Sequence, residues 1–317
     1  MINKITVLIQ MDPLDSLNKE TDTTYKLATE ALERGFTVMS SSPEDVFFES
    51  GQISVCANKL KLKKKDLEEK IDSKVYSLSF FDFILIRQDP PFDMSYITNT
   101  YLHSLTFKKS SKKPFFINNP MGLRNYSEKI YPLLFKNLIP NTIISCRKET
   151  MLSFLKKYKQ IVIKPLFEKG GKGVLLIKSS DKNSIDLLKT VTKNYTQMII
   201  LQEYLKEIVN GDKRVILIDG EPMGVVNRVP LKGHFRANLH LGARPMKTIL
   251  TEKEIDICNK LKPSLINNGF FFVGIDIIGE KLTEINVTSP TGISQINELY
   301  NIKIEKKFWD SALKKII

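Results

Sequence analysis

The chain has 317 residues, 42% hydrophobic and 26% charged, the balance of a folded globular protein and not of a disordered one. Its 48 Lys and Arg against 35 Asp and Glu leave a net charge of +13, and its length suggests two domains or one large domain with subdomains. No apolar run reaches the roughly 18–20 residues of a membrane helix, and the start lacks both the apolar length and the cleavage site of a signal peptide.

Residues 4–10 read as a first strand ending at Met11-Asp12-Pro13. Residues 23–34 then place Leu27, Ala28, Ala31 and Leu32 at helical spacing and stop at Gly35. Strands are predicted at 36–38, 52–57 and 80–86, with a helix over 94–107 and a strand at 115–118. The prolines of Arg87-Gln88-Asp89-Pro90-Pro91-Phe92-Asp93 impose a rigid, extended loop after the third of those strands. Strands separated by helices predict a parallel, doubly wound sheet, with ligands beyond the strands' carboxyl ends, where loops 11–13, 87–93 and 118–120 fall. A dinucleotide-binding domain is disfavoured, because the turn after the first strand lacks G-x-G-x-x-G.

From about residue 123 the pattern changes. A helix is expected over 127–135, a strand at 142–145, a helix over 148–157 and strands at 161–165 and 174–177. A helix over 184–191 follows, then a strand at 198–203 and a strand pair, 214–218 and 222–228, turning at Asp219-Gly220. This half reads as strand-rich and antiparallel, which puts a domain boundary near 122.

Three stretches could carry chemistry. Between two strands lies Phe167-Glu168-Lys169-Gly170-Gly171-Lys172-Gly173, whose glycines and lysines can approach phosphate oxygens, although a plain hairpin loop reads equally well. Near the C-terminus an apolar strand, residues 270–278, contains a single acid, Asp276. It turns at Gly279-Glu280-Lys281, and a three-residue turn would set Asp276 opposite Glu284, with Asn286 on the same face. Three oxygen donors in apolar surroundings suit a divalent cation, the alternative being a salt bridge to an arginine. Last, residues 228–244 hold several cations in a long loop, either an unstructured connection or a lid, in which His234 and His240 have no identifiable catalytic partner.

Cys56, Cys146 and Cys258 are widely spaced, which argues against a disulfide framework or a zinc site and suits a reducing, cytoplasmic setting. Lysines such as those at 59–65 and Lys108-Lys109 read as a solvated surface of helices and loops. Basic stripes interleaved with aromatics are missing, so neither a nucleic acid nor a membrane is expected as a partner.

Several runs together resemble one family. They are Asp89-Pro90-Pro91-Phe92-Asp93, Asn118-Asn119-Pro120, Glu128-Lys129, Gln202-Glu203-Tyr204-Leu205, Gly211-Asp212-Lys213-Arg214, Arg228-Val229-Pro230 and the stretch from Leu282 through Glu284, Asn286, Thr288 and Ser289 to Thr291. The chain resembles the prokaryotic-type glutathione synthetases of the ATP-grasp superfamily along nearly its whole length. One departure is that Phe167-Glu168 stands where relatives usually open the phosphate loop with Asp-Gly.

The resemblance implies an α/β fold: an N-terminal parallel-sheet (pre-ATP-grasp) domain, residues 1–122, followed by an ATP-grasp fold of two α+β subdomains, residues 123–317. The central lid subdomain would cover about 123–205 and the C-terminal subdomain about 206–317. It also implies ligation of γ-glutamylcysteine to glycine through an acyl phosphate made with ATP, with Mg²⁺ or Mn²⁺ as cofactor. Lys129, Lys164, Gly170 and Gly171 would face the ATP phosphates, Gln202, Glu203, Tyr204 and Leu205 the adenine, and Asp212 the ribose. Asp276, Glu284 and Asn286 would hold metal, and Arg228 would be catalytic. Arg87, Arg236, Asn238, Thr288, Ser289 and Thr291 would bind the peptide substrate or close over it. The family further implies a homo-oligomer. The competing readings are another ATP-grasp carboxylate–amine ligase with a different acceptor and a non-catalytic basic nucleic-acid module.

Overall fold

The computed structural model describes residues 4–107, 113–168 and 170–316. Lys108, Lys109 and Lys169 of the stretches above lie outside them. The chain opens with β1 (Thr6–Gln10), α1 (Thr23–Glu33), β2 (Thr37–Ser41), β3 (Val46–Glu49), β4 (Gln52–Lys63), β5 (Asp66–Ser77), β6 (Phe83–Ile86), α2 (Met94–Ser104) and β7 (Phe115–Ile117). Asp22 and Asp93 cap α1 and α2 by accepting from the backbone N–H groups of Tyr25 and Tyr96. As expected, β2, β1, β6 and β7 pair in parallel, and their apolar residues are buried except for half-buried Phe115.

The sheet is not parallel throughout. β4 pairs antiparallel with β2, β3 and β5, and β4 and β5 form a hairpin of two 12-residue strands. β5 was not expected, because half of its residues are charged. Cross-strand ion pairs from Glu68 to Lys61 (3.2 Å) and Lys63 (3.1 Å) accommodate those charges. The lysines at 59–63 therefore lie on a strand, not on a helix or loop.

Next come α3 (Pro120–Asn125), β8 (Thr142–Ser145), α4 (Lys148–Tyr158), β9 (Gln160–Lys164), β10 (Leu175–Lys178), α5 (Ser184–Val191) and β11 (Ile199–Glu203). The strands form an antiparallel sheet in the order β10-β9-β11-β8. Met151, Phe154 and Leu155, at helical spacing on α4, pack with Ile161, Ile163 and Leu201 into a core separate from the other two. The helix expected over 127–135 does not form. Pro132 lacks the N–H that would bond to the Glu128 carbonyl, which instead accepts from the backbone N–H of Ile285 at 3.1 Å. A short 3₁₀ turn, Tyr131–Leu134, stands in its place.

The last layer comprises β12 (Asp212–Ile218), β13 (Glu221–Val229), β14 (Arg244–Met246), α6 (Glu252–Asn267), β15 (Phe272–Ile278), β16 (Lys281–Asn286), α7 (Ile293–Tyr300) and α8 (Ile304–Ile316). Its strands run β14-β13-β12-β15-β16, all antiparallel. This sheet and the first share their cores. Trp309 and Phe308 of α8 pack among Val7, Ile9 and Phe83, and the Trp309 indole donates to the Leu27 carbonyl at 2.9 Å. Buried Asn118, at the carboxyl end of β7, donates to the carbonyls of Phe272 and Val287 and accepts from the N–H groups of Phe271 and Phe272. One side chain thus ties the parallel sheet to β15.

Beneath the carboxyl ends of β1 and β6, Gln10 donates to Gln88 (2.5 Å) and Asn99 (2.8 Å) and accepts from His103 Nε2 at 2.7 Å. His103 Nδ1 is buried without a partner among the described residues, and burial pushes the imidazole down to about 3. The fold therefore holds this ring neutral, whereas the unfolded chain protonates it near the ordinary 6.5. This contribution to stability is complete above that value and is lost as the pH falls toward 3, at up to about 1.4 kcal/mol per pH unit. Urea unfolding of the parent and of His103→Gln at pH 7.5 and 5.5 should show the parent losing more stability over that interval. An equal loss in both would contradict the assignment.

Candidate active site

A cavity of about 720 Å³ opens where the three sheets meet. Its floor is the face of the C-terminal sheet carrying Asp212 and Arg214 on β12, Arg228 on β13, Asp276 on β15, and Glu284 and Asn286 on β16. Register places them together: Asp212 lies opposite Arg228, Arg214 opposite Asp276, and Asp276 opposite Glu284. The hairpin does not turn as expected. Gly279 and Glu280, both with positive φ, make a two-residue loop, and a bulge between Asp276 and Ile277 restores the Asp276–Glu284 pairing. Leu282 and Glu284, two residues apart, would otherwise share a face. With the bulge Leu282 enters the core and Glu284 faces the cavity.

The row of charges is internally paired. Arg214 Nε and Nη2 donate to the two oxygens of Asp276 at 2.5 and 2.9 Å, and Arg228 Nη2 lies 2.5 Å from Asp212 and 3.0 Å from Asp276. Burial alone would raise the Asp276 carboxyl, but Arg214 and Arg228 hold it well below the ordinary carboxylate range. Burial, together with repulsion from Asp276, pushes Asp212 up to about 7 despite Arg228. Of the two acids on β15 and β16, Glu284 is the less engaged, with Lys164 at 3.9 Å.

The walls come from the other layers. Gln202, Glu203, Tyr204 and Leu205 continue from β11. Gln202 donates to Thr142, Glu203 accepts from Asn141, and the Tyr204 N–H donates to the Gln160 carbonyl, so the strand end is fixed. Lys129 donates to the Glu168 carbonyl, and Glu128 accepts from the Thr288 N–H (3.3 Å) and hydroxyl (2.6 Å). Burial raises the Glu128 carboxyl, while Thr288 and Lys129 oppose the shift.

The roof is the glycine-rich loop packed against residues 235–241. Gly170 and Gly171 have φ of +64° and +76°, and a Cβ there would come within 2.9 Å of the His240 ring and 2.6 Å of Asn238 Oδ1. Only glycine meets both demands. Arg236 donates to the Gly171 carbonyl at 3.4 Å. Of residues 228–244, those at 235–241 lie over the glycine loop with His240 beside Gly170, and both His234 and His240 are exposed.

Of the residues to which the resemblance assigns a role in binding or catalysis, all but Arg87 line this cavity. Arg87 is buried behind the loop that carries Ser289 and Thr291, donating to the Thr24 hydroxyl and the Pro290 carbonyl, both at 3.1 Å. Sequence reasoning missed Arg214 and Glu128. Arg214 was legible as the residue two beyond Asp212, hence on the same strand face. Glu128 left no signal beyond its place beside Lys129.

The donor set bears on a metal. Among the described residues no three His, Cys, Asp or Glu side chains gather into a complete cage. Two carboxylates and the Asn286 amide are instead a partial set of hard oxygen ligands, which fits a divalent cation whose remaining positions are filled by phosphates and water. Charge count points the same way, because among the described residues the cavity wall carries six Lys or Arg and six Asp or Glu. A triphosphate entering a balanced site brings a negative excess that a divalent cation offsets.

Replacing Arg214 with alanine leaves Asp276 with Arg228 alone and should lower the unfolding free energy by about 3 kcal/mol in chemical denaturation. Adding Asp276→Asn should restore part of that loss. A single variant as stable as the parent would show that the pair contributes nothing.

The family model for the prokaryotic glutathione synthetase N-terminal domain matches residues 5–124, and that for the prokaryotic glutathione synthetase ATP-grasp domain matches residues 128–301. The chain is 38% identical over 311 residues to the glutathione synthetase of Mesorhizobium japonicum, covering 98% of each, and 39% identical over 310 residues to that of Brucella melitensis, covering 97% of this chain and 98% of the relative. Among solved structures, D-cycloserine synthetase DcsG superposes with a TM-score of 0.67 at 13% identity, covering 98% of this chain and all of that one. The ATP-grasp ligase PsnB, solved with a minimal precursor, gives 0.64 at 13% identity over 99% of this chain and 100% of its own. The family model and the likeness to PsnB give the fold as ATP-grasp, and the chain belongs to the prokaryotic glutathione synthetase family.

Proposed function

We propose that the chain is a glutathione synthetase, which couples the conversion of ATP to ADP and phosphate to amide-bond formation between γ-glutamylcysteine and glycine. The observation that carries this reading is the charged row on β12, β13, β15 and β16 facing the glycine-rich loop across one cavity. A carboxylate is a poor acyl donor, so the cysteinyl carboxylate oxygen first attacks the γ-phosphorus and ADP departs. The amine of glycine then attacks the acyl carbon, and the C–O bond to phosphate breaks. Both steps depend on holding and neutralising charge.

Each side chain has a part in that scheme. Lys129, Lys164 and the backbone of Gly170 and Gly171 bind phosphate oxygens, Gln202 to Leu205 border the adenine, and Asp212 meets the ribose. A divalent cation, Mg²⁺ or Mn²⁺ in its place, held by Asp276, Glu284 and Asn286, would neutralise triphosphate charge. Arg228, fixed by Asp212 and Asp276, stabilises the acyl phosphate and the oxyanion of the tetrahedral intermediate. Thr288, Ser289 and Thr291 border the dipeptide, and Arg87 acts on it by holding the Pro290 carbonyl behind them. Arg236 and Asn238 cover the site and keep water from the acyl phosphate.

The proposal keeps a division at residue 122 into an N-terminal domain and an ATP-grasp domain, split again near 205. It also includes a homo-oligomer that binds small molecules and neither nucleic acid nor membrane. Among the described residues no helix is long and apolar enough to cross a membrane. The unpaired cysteines suit the cytoplasm.

Glu284→Ala should lower substrate-dependent ADP formation at least about 10³-fold with little change in melting temperature, since the side chain is 23% exposed. Retained turnover in a folded variant would remove Glu284 from the metal site. ADP release by the unsubstituted chain should require γ-glutamylcysteine and glycine together. An acceptor screen in which another amine far outperforms glycine would keep the mechanism and change the product.

A further inference from the structure

We propose that Phe167 is a positioning residue that, through its ring contact with Phe92, makes nucleotide affinity depend on whether the dipeptide is bound. The inference rests on the reading of the site given above. Phe92 belongs to the extended loop after β6, whose Asp89 and Pro90 line the cavity. Its ring packs on Tyr96 at 4.9 Å, and Tyr96 is buried in the first turn of α2, where Asp93 caps the helix. Phe92 thus reaches Phe167 from the side of the parallel sheet.

Phe167 comes from the other side, between β9 and the glycine pair. Phe167 is 48% exposed, and its ring stacks on that of Phe92 at 6.4 Å with an interplanar angle of 22°. Next to it the Glu168 carbonyl accepts from Lys129, and two residues further the glycine pair begins, roofed by Asn238 and His240. The stack thus links the glycine loop to the loop of Asp89 and Pro90, and Pro90 shares a small recess with Thr288, one of the residues assigned to the dipeptide.

The consequence is a coupling of two sites through one contact. A ligand that orders Asp89 and Pro90 also orders Phe92, which offers Phe167 a fixed partner and holds the glycine loop ready for phosphates. By linkage, nucleotide must favour dipeptide by the same factor. The surplus energy of an offset aromatic pair sets that factor at about three- to tenfold.

The test is the affinity for AMPPNP with Mg²⁺, by calorimetry, with and without saturating γ-glutamylcysteine. The unsubstituted chain should bind AMPPNP about three- to tenfold more tightly with the dipeptide present. Phe167→Ala, Phe92→Ala and the double variant should each bring the ratio close to one, whereas Phe167→Tyr should retain it. Melting temperatures identify any variant lost to unfolding, and Phe167→Tyr against Phe167→Ala then decides the matter. A ratio near one in the unsubstituted chain, or an unchanged ratio in Phe167→Ala, overturns the proposal. Glutathione formation by the unsubstituted chain is assayed in parallel. Product with a ratio of one refutes only the coupling, while absence of product refutes the functional reading and the coupling with it.

Discussion

A carboxylate placed inside a sheet needs a cation beside it, and Asp276 has two. Arg214 grips both its oxygens from the next strand, and Arg228 reaches one of them from the strand beyond. This arrangement fixes the register of β12, β13 and β15, because a slip of one residue would move each charge to the opposite, apolar face. It also fixes how far the floor of the cavity is already neutralised before any ligand enters. Asp212, pushed toward neutral pH by burial and by Asp276, is the outer member of the same row.

Around that floor the layers differ in how they are held. The parallel sheet and the C-terminal sheet share a core, joined by Trp309 and sutured by Asn118. The middle sheet packs its own core beneath α4. It reaches the cavity through the strand ends at Lys164 and Gln202–Glu203 and through the glycine loop, where Arg236 donates to the Gly171 carbonyl beside Asn238 and His240. A binding site built this way has a rigid base and a cover whose position depends on a few side chains.

Much of this was legible in the sequence, and the parts that were not have physical reasons. Alternating or continuous apolar runs located β1, β6, β12, β15 and β16, and the Asp276–Glu284 pairing was read correctly although the turn was not. The two errors cancelled, since a bulge supplies the residue that the shorter turn removes. β5 escaped because ion pairs across the hairpin, not a buried face, accommodate its charges. The helix over 127–135 was wrongly expected because apolar spacing outweighed one proline, whose missing N–H frees the Glu128 carbonyl for β16. Arg87 was placed in the site by motif, and its Nε and Nη2 hold Thr24 and the Pro290 carbonyl behind the cavity wall. No spacing rule reveals which side of a loop an arginine supports.

The most direct test of the account is anomalous diffraction from crystals grown with Mn²⁺ and AMPPNP. The account predicts manganese bound between the nucleotide phosphates and the oxygens of Glu284 and Asn286, with Asp276 in the same cluster. Manganese located elsewhere, with Glu284 turned away from the phosphates and Asp276 still gripped by both arginines, would contradict it.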